Sequence, residues 1–355
     1  MPLYESYAIW NNKGGVGKST ITYHVASRYA EQHPEKKVLV IDLCPQSNVS
    51  MMLLGGGTNG EALVLGYCTE PVPKTVVGYM STVLAGGAGA PLPAWRNFLV
   101  TVRDRNASMP SNLYLLCGDG NLEPMAPLIS AQAAAAPLTP SSNPWKWVHE
   151  TIRTLIAKIA EEDDATWIVF VDTNPSFSIY TEIAVSSVNR LIVPTNADDS
   201  SRVATTAMFT LIHGAVPPHP IYGAYTYAVR ADAAALARPQ VHLIVGNRLT
   251  QNVGPAAAFG AVSNATAESM YEAYRANPAR FTTRSASVTS IEQFRNEYSI
   301  PLRDFNTAGV VSAHRGVSLS QLPSGKYDVY GTGVTIDNRR VQECLGAVDD
   351  LVAHL

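Results

Sequence analysis

Residues 11–20 read NNKGGVGKST, and the fold turns on how this stretch is read. Gly14, Gly15 and Gly17 leave backbone N–H groups able to point at phosphate oxygens, and a following helix adds its positive end. In such a loop Lys18 reaches the β- and γ-phosphates and Ser19 holds Mg²⁺. Upstream, residues 6–10 (SYAIW) form a short apolar run; downstream, Ile21, Val25, Ala26 and Tyr29 recur at helical spacing. Strand, loop and helix in succession separate this stretch from an ordinary Gly-rich turn. One departure stands out: the usual GxxxxGK[ST] pattern has Gly where this chain has Asn12, and an extra lysine, Lys13, follows it.

Further out, KKVLVIDL at 36–43 predicts a second strand, apolar throughout as strands buried on both faces are, and TWIVFVDTN at 166–174 a third. Val148, Ile152, Leu155, Ile156 and Ile159 mark one face of a helix before it. RLIVPTN at 190–196 and VHLIVGN at 241–247 read as further strands. Strands alternating with helices predict an α/β fold, a single P-loop NTPase domain with a mostly parallel sheet and helices on both faces. Three stretches break the rhythm: about 55–112, rich in Gly, Pro and Ala with one short helix at 75–85; 131–145, a linker by composition; and 214–240. They are expected to be loop-rich surface insertions on one domain spanning 1–355.

The chain has 355 residues, 46% of them hydrophobic, enough for a large core. Neither a leader-like N-terminus nor an apolar run of membrane-spanning length is evident, so a soluble, cytoplasmic protein is expected. Cys44, Cys68, Cys117 and Cys344 lack CxxC spacing, which argues against a disulfide framework, a zinc site or a cluster. A net charge of −3 excludes a uniformly basic nucleic-acid binder but leaves room for a local patch.

KGGVGKST (13–20) resembles the deviant Walker A loop of the ParA/MinD family of ATPases. The resemblance continues through IDLCPQSN (41–48), VFVDTNPSF (169–177), LIVGN (243–247) and YSIPLRDF (298–305). It covers most of the chain apart from the insertions, and PQ at 45–46 places it nearer the ParA branch. The resemblance implies ATP and Mg²⁺ as cofactors and a homodimer in the ATP state, in which Lys13 crosses to the partner's nucleotide. It also implies a nucleotide site of Lys13, Gly14, Gly15, Val16, Gly17, Lys18, Ser19 and Thr20, with Asn247, Arg248 and Pro301 around the base. Ser19, Asp42 and Asp172 are the implied metal residues, and Lys13, Lys18 and position 44 the catalytic ones. For two of these a plainer reading stays open from the residues alone. Asp172 could cap the segment that follows it, and Asn247 could satisfy backbone at a turn.

Position 44 departs from the family. Where its DxDPQ segment has a second carboxylate that orients the attacking water, this chain has Cys44. A neutral thiol is a weak hydrogen-bond acceptor, so slow hydrolysis is expected. Asp198 and Asp199 are acids that could substitute, although they read more simply as caps of the next helix. In the ParA branch the dimer grips nonspecific DNA and answers to a ParB-like or cargo adaptor protein, which implies a nucleoid-associated protein. Nine Lys or Arg lie between 275 and 340, and Arg275, Arg280, Arg284, Arg295, Arg339 and Arg340 are the candidate DNA contacts; an ordinary solvated surface is the alternative. The last helix carries Asp349 and Asp350, unlike a basic membrane anchor. Three functions are therefore carried forward: a cargo-positioning ATPase, an ATP-locked dimeric binding module, and a small-molecule synthetase or kinase on the same fold.

Overall fold

The computed structural model describes residues 4–140, 142–246, 256–284, 287–302 and 305–355. Eight strands form one sheet: β1 (Tyr4–Ile9), β2 (Lys37–Leu43), β3 (Val100–Thr101), β4 (Leu113–Leu116), β5 (Trp167–Thr173), β6 (Arg190–Thr195), β7 (Gln240–Gly246) and β8 (Ser299–Pro301). Their order is β3-β4-β2-β5-β1-β6-β7-β8, and every pair is parallel except β3 with β4. A hairpin, β9 (Gly325–Val329) with β10 (Thr332–Ile336), stands apart.

Alternation along each strand sorts side chains into two cores. Ala8, Trp10, Leu39, Ile41, Val169 and Val171 face one. Tyr7, Ile9, Val38, Val40, Ile168 and Phe170 face the other. Burial on both faces explains why these strands read as continuous apolar runs.

The expectation of surface insertions needs correction for two of the three stretches. Residues 55–112 hold the helices Gly57–Cys68 and Val76–Gly86 and deliver Val76, Tyr79, Met80, Trp95 and Phe98 to the core. Two of the glycines there serve close packing: a Cβ on Gly60 would lie 2.1 Å from the Met51 carbonyl oxygen, and one on Gly78 1.8 Å from that of Pro73. In the 214–240 stretch the helix Tyr227–Ala233 buries Tyr227 and Ala231 in the same core, while Ile221 and Tyr222 stay exposed. Of the linker expected at 131–145, residues 131–133 close the helix Leu122–Ala133 and 144–145 open the helix Pro144–His149, with Ala133 and Trp145 buried, while Leu138 between them is 94% exposed. Met80→Ala should accordingly lower stability in urea unfolding by about 2–5 kcal/mol. Leu138→Ala should change it by under about 0.5 kcal/mol.

Candidate functional site

β1 hands the chain to the Gly-rich loop at the C-terminal edge of the sheet, where strand-end loops of parallel sheets collect ligands. Buried Asn11 pins the loop's start by donating from Nδ2 to the Pro194 carbonyl of β6 at 2.7 Å. Gly15 and Gly17 adopt φ of 72° and 82°, left-handed values that favour glycine. A Cβ on Gly14 or Gly15 would meet nothing within 4 Å, so the loop's outer side is an open cradle. Val16 packs fully buried beneath it, and Ser19 and Thr20 lie in the first turn of the helix Lys18–Gln32, whose start has no side-chain cap.

Lys18 is buried, its Nζ 2.8 Å from the Lys13 carbonyl and 3.4 Å from that of Asn11. Burial pushes its pKa down to about 8 against the pull of Asp172. Ser19 Oγ donates to Asp172 Oδ2 at 2.7 Å, and Thr22 Oγ1 to Asp172 Oδ1 at 3.2 Å. Asp42 is the register partner of Asp172 on the neighbouring strand, and neither is exposed to solvent. Asp42 accepts from Ser50 Oγ at 2.7 Å, from the Ser50 N–H at 3.1 Å and from the Cys44 N–H at 3.1 Å. Burial holds both carboxyls above the usual carboxylate range, and for Asp42 the Asp172 charge adds to it. Two buried carboxyls beside a hydroxyl form a hard-oxygen set that suits Mg²⁺, which keeps most of its waters and needs few protein ligands. Among the described residues no three His, Cys, Asp or Glu converge as a self-sufficient metal cage.

Cys44 follows β2 and is 3% exposed. Burial, then Asp42 and Asp172, push its thiol up to about 12, so it is neutral at physiological pH. Lys13 turns to the other side of β1: its ammonium pairs with the Asp198 carboxylate and lies 3.4 Å from Ser201 Oγ.

Pro301 ends β8 opposite Gly246 of β7 and lines a cleft of about 470 Å³ with Thr195, Asn196, Ile244 and Arg295. Asn247 and Arg248 lie outside the described residues. The six candidate DNA arginines do not form one patch. Arg275 is exposed at the end of the helix Ala256–Ala276. Burial, then the charge of nearby Arg238, lowers the Arg280 pKa. Arg284 donates to the His242 carbonyl and covers the Tyr298 ring at 4.9 Å, a structural role. Arg295 faces the Pro301 cleft, while Arg339 pairs with Glu343 and Arg340 with Asp337. Ser50, Thr22 and the Lys13–Asp198 pair escaped sequence reasoning, because each arises from a tertiary approach that no local spacing marks.

Residues 5–75 match a family model described as an AAA domain. No curated protein matches the chain. Among solved structures, the ATP complex of Cyanothece McdA superposes with a TM-score of 0.59 at 12% identity, covering 99% of this chain and 98% of that one. A plasmid partition protein from Borrelia burgdorferi bound to AMPPNP gives 0.52 at 12%, covering 99% of each. A Corynebacterium diphtheriae protein gives 0.57 at 20%, covering 88% of this chain and 97% of that one. At these identities the likeness is one of fold.

The carboxylate pair has a pH signature. Folding raises both pKa values, so above about pH 4 the folded protein binds more protons than the unfolded chain, and stability contributed at acid pH is lost as pH rises through the raised values. Without Mg²⁺, Asp172→Asn should therefore gain stability relative to the natural protein between about pH 4.5 and about pH 8. A difference in urea midpoint that does not move with pH would contradict the burial of two titrating carboxyls.

Proposed function

We propose that this chain is a ParA-like ATPase, a reading supported by the match of residues 5–75 to a model described as an AAA domain and by the likeness of fold to McdA and a plasmid partition protein. It dimerises on ATP and positions DNA or protein cargo by nucleotide-dependent binding to nonspecific DNA, under a ParB-like or cargo adaptor protein. The observation that carries this reading is the set of Lys18, Ser19, Asp42 and Asp172 beneath the open Gly14–Gly15 cradle.

In this reading the loop N–H groups and the start of the helix Lys18–Gln32 bind the phosphates, and Lys18 moves its ammonium from the loop carbonyls onto phosphate oxygens. Ser19 and Asp172 would hold Mg²⁺ with Asp42 on its water shell; the ion neutralises phosphate charge. Pro301 and the cleft beside it take the base, together with Asn247 and Arg248. Cys44 stands where a carboxylate would orient water. Its neutral thiol accepts weakly, so hydrolysis is slowed by about 10²–10⁴ relative to a site with that carboxylate. Arg275 and Arg280, with Arg238 adjacent, are the cations best placed for phosphodiester contacts. The second reading, an ATP-locked dimer that binds without turning over, is favoured by one observation: the water-orienting position is a buried thiol pushed up to about 12.

Single-turnover hydrolysis by the natural protein and by Cys44→Asp, alongside a size measurement in ATP and Mg²⁺, tests both readings. A dimer with slow turnover, accelerated at least about tenfold in Cys44→Asp, is expected from a 10²–10⁴ general-base deficit. A dimer with no turnover until Cys44→Asp is introduced replaces the cycling ATPase with the locked module. Failure to bind nucleotide overturns both. For DNA, Arg280→Ala should weaken binding and reduce the salt slope by about 1, and Arg339→Ala should leave both unchanged.

A further inference from the structure

We infer that Asp198 is a positioning residue that clamps Lys13 inside its own subunit, and that this cis clamp opposes ATP-driven dimerisation until it is broken. The inference rests on the ATP-dimer reading above and adds a regulatory contact to it.

Asp198 is the N-cap of the helix Asp199–His213 and does two jobs at once. Its Oδ1 accepts from the Ser201 N–H and from Ser200 Oγ, both at 2.8 Å, which fixes the carboxylate against the helix start. The same carboxylate takes the Lys13 ammonium, with Ser201 Oγ 3.4 Å from Nζ. Ser201 Oγ itself accepts from the Asn196 N–H at 3.0 Å, so the acceptor group is tied to the end of β6. Burial would raise the Asp198 pKa, but the bonds from Lys13, Ser200 and Ser201 outweigh it and lower the value to about 2. The carboxylate is thus charged at any working pH. Lys13 is 19% exposed and Asp198 42%, so the pair is partly sheltered yet still reachable from solvent.

Topology shows what the clamp does and what it does not do. β6 pairs with β1 on the edge opposite β5. Asp198 follows β6, whereas Cys44 and Asp172 lie at the ends of β2 and β5. Asp198 therefore stands across β1 from the carboxylate pair and is not a replacement for the acid missing at position 44. Its effect is to draw Lys13 over its own β6 and hold it there. A lysine bound in cis cannot at the same time serve a nucleotide held by another subunit. Each dimer must release two clamps, one per subunit, before both lysines can cross.

Asp198→Asn separates the two jobs, since asparagine caps helices about as well as aspartate but carries no charge to hold an ammonium. A partly exposed ion pair of this kind retains its lysine by about three- to fivefold. Two released clamps should therefore tighten the ATP dimer by about tenfold or more. The first readout is labelling of Lys13 by acetic anhydride without nucleotide, followed by mass spectrometry. It should rise severalfold in Asp198→Asn while the other lysines are unchanged. The second is the dimer dissociation constant in ATP and Mg²⁺ by analytical ultracentrifugation. Asp198→Ala, which loses cap and charge together, reports the stability effect of the cap alone when compared with Asp198→Asn in urea. Unchanged Lys13 labelling overturns the clamp. Increased labelling with an unchanged or weaker dimer overturns its opposition to dimerisation and assigns Asp198 to the dimer itself. Increased labelling with no dimer in either protein overturns the ATP-dimer reading and the regulatory role with it.

Discussion

Two carboxylates buried side by side constrain everything around the candidate site. Asp42 and Asp172 sit in register on adjacent central strands with no solvent access. Taking charges out of water costs several kcal/mol per ion unless partners are supplied. The chain supplies them from three directions. Ser19 and Thr22 tie Asp172 to the helix Lys18–Gln32; Ser50 ties Asp42 to the helix Asn48–Leu53; and Ser50 Oγ also accepts from the Gly118 N–H at 2.8 Å beyond β4. The space is closed to any side chain at Gly118, where a Cβ would lie 2.8 Å from Asp42 Oδ2. Hydroxyls donate to a carboxylate without cancelling its charge, so the pair remains a sink for a cation.

That constraint also makes sense of Cys44. A third carboxylate at the end of β2 would join two whose pKa values burial already raises, that of Asp42 with the Asp172 charge added. A thiol adds no charge there and stays neutral for the same reason the aspartates resist ionising.

How much of this could be read from the chain follows from which interactions are local. Parallel strands buried on both faces announce themselves as apolar runs, and the strands expected at 190–196 and 241–247 are found as Arg190–Thr195 and Gln240–Gly246. The helix expected at 75–85 is Val76–Gly86. Loop and strand-end spacing points to Lys18, Ser19 and Asp172, and the fold brings Ser19 onto Asp172 and sets Asp42 beside it in register. Glycine carries two meanings in 55–112: its density reads as a mark of loops, yet Gly60 and Gly78 sit inside helices because backbone passes too close for a side chain. The arginines are ambiguous for a different reason. Density of cations along a sequence says nothing of which face each will occupy, and the fold sends Arg284 into a hydrogen bond with β7, Arg295 to a cleft and Arg339 to a glutamate on its own helix.

The two lysines of KGGVGKST show why the loop's second cation matters physically. Lys18 leans on the loop's own carbonyls and feels Asp172, on the β5 side of β1. Lys13 is drawn to Asp198, on the β6 side. One ten-residue stretch thus places positive charge on both flanks of the central strand, and each flank has its own acid. The neutral thiol of Cys44, beside Asp42, lies on the first flank. The contact that limits release of Lys13, an ion pair on a helix cap, lies on the second. Because β1 separates them, substitutions at Cys44 and Asp198 share no partner, and effects at sites without shared partners add. The two flanks of the loop can then be altered independently of one another.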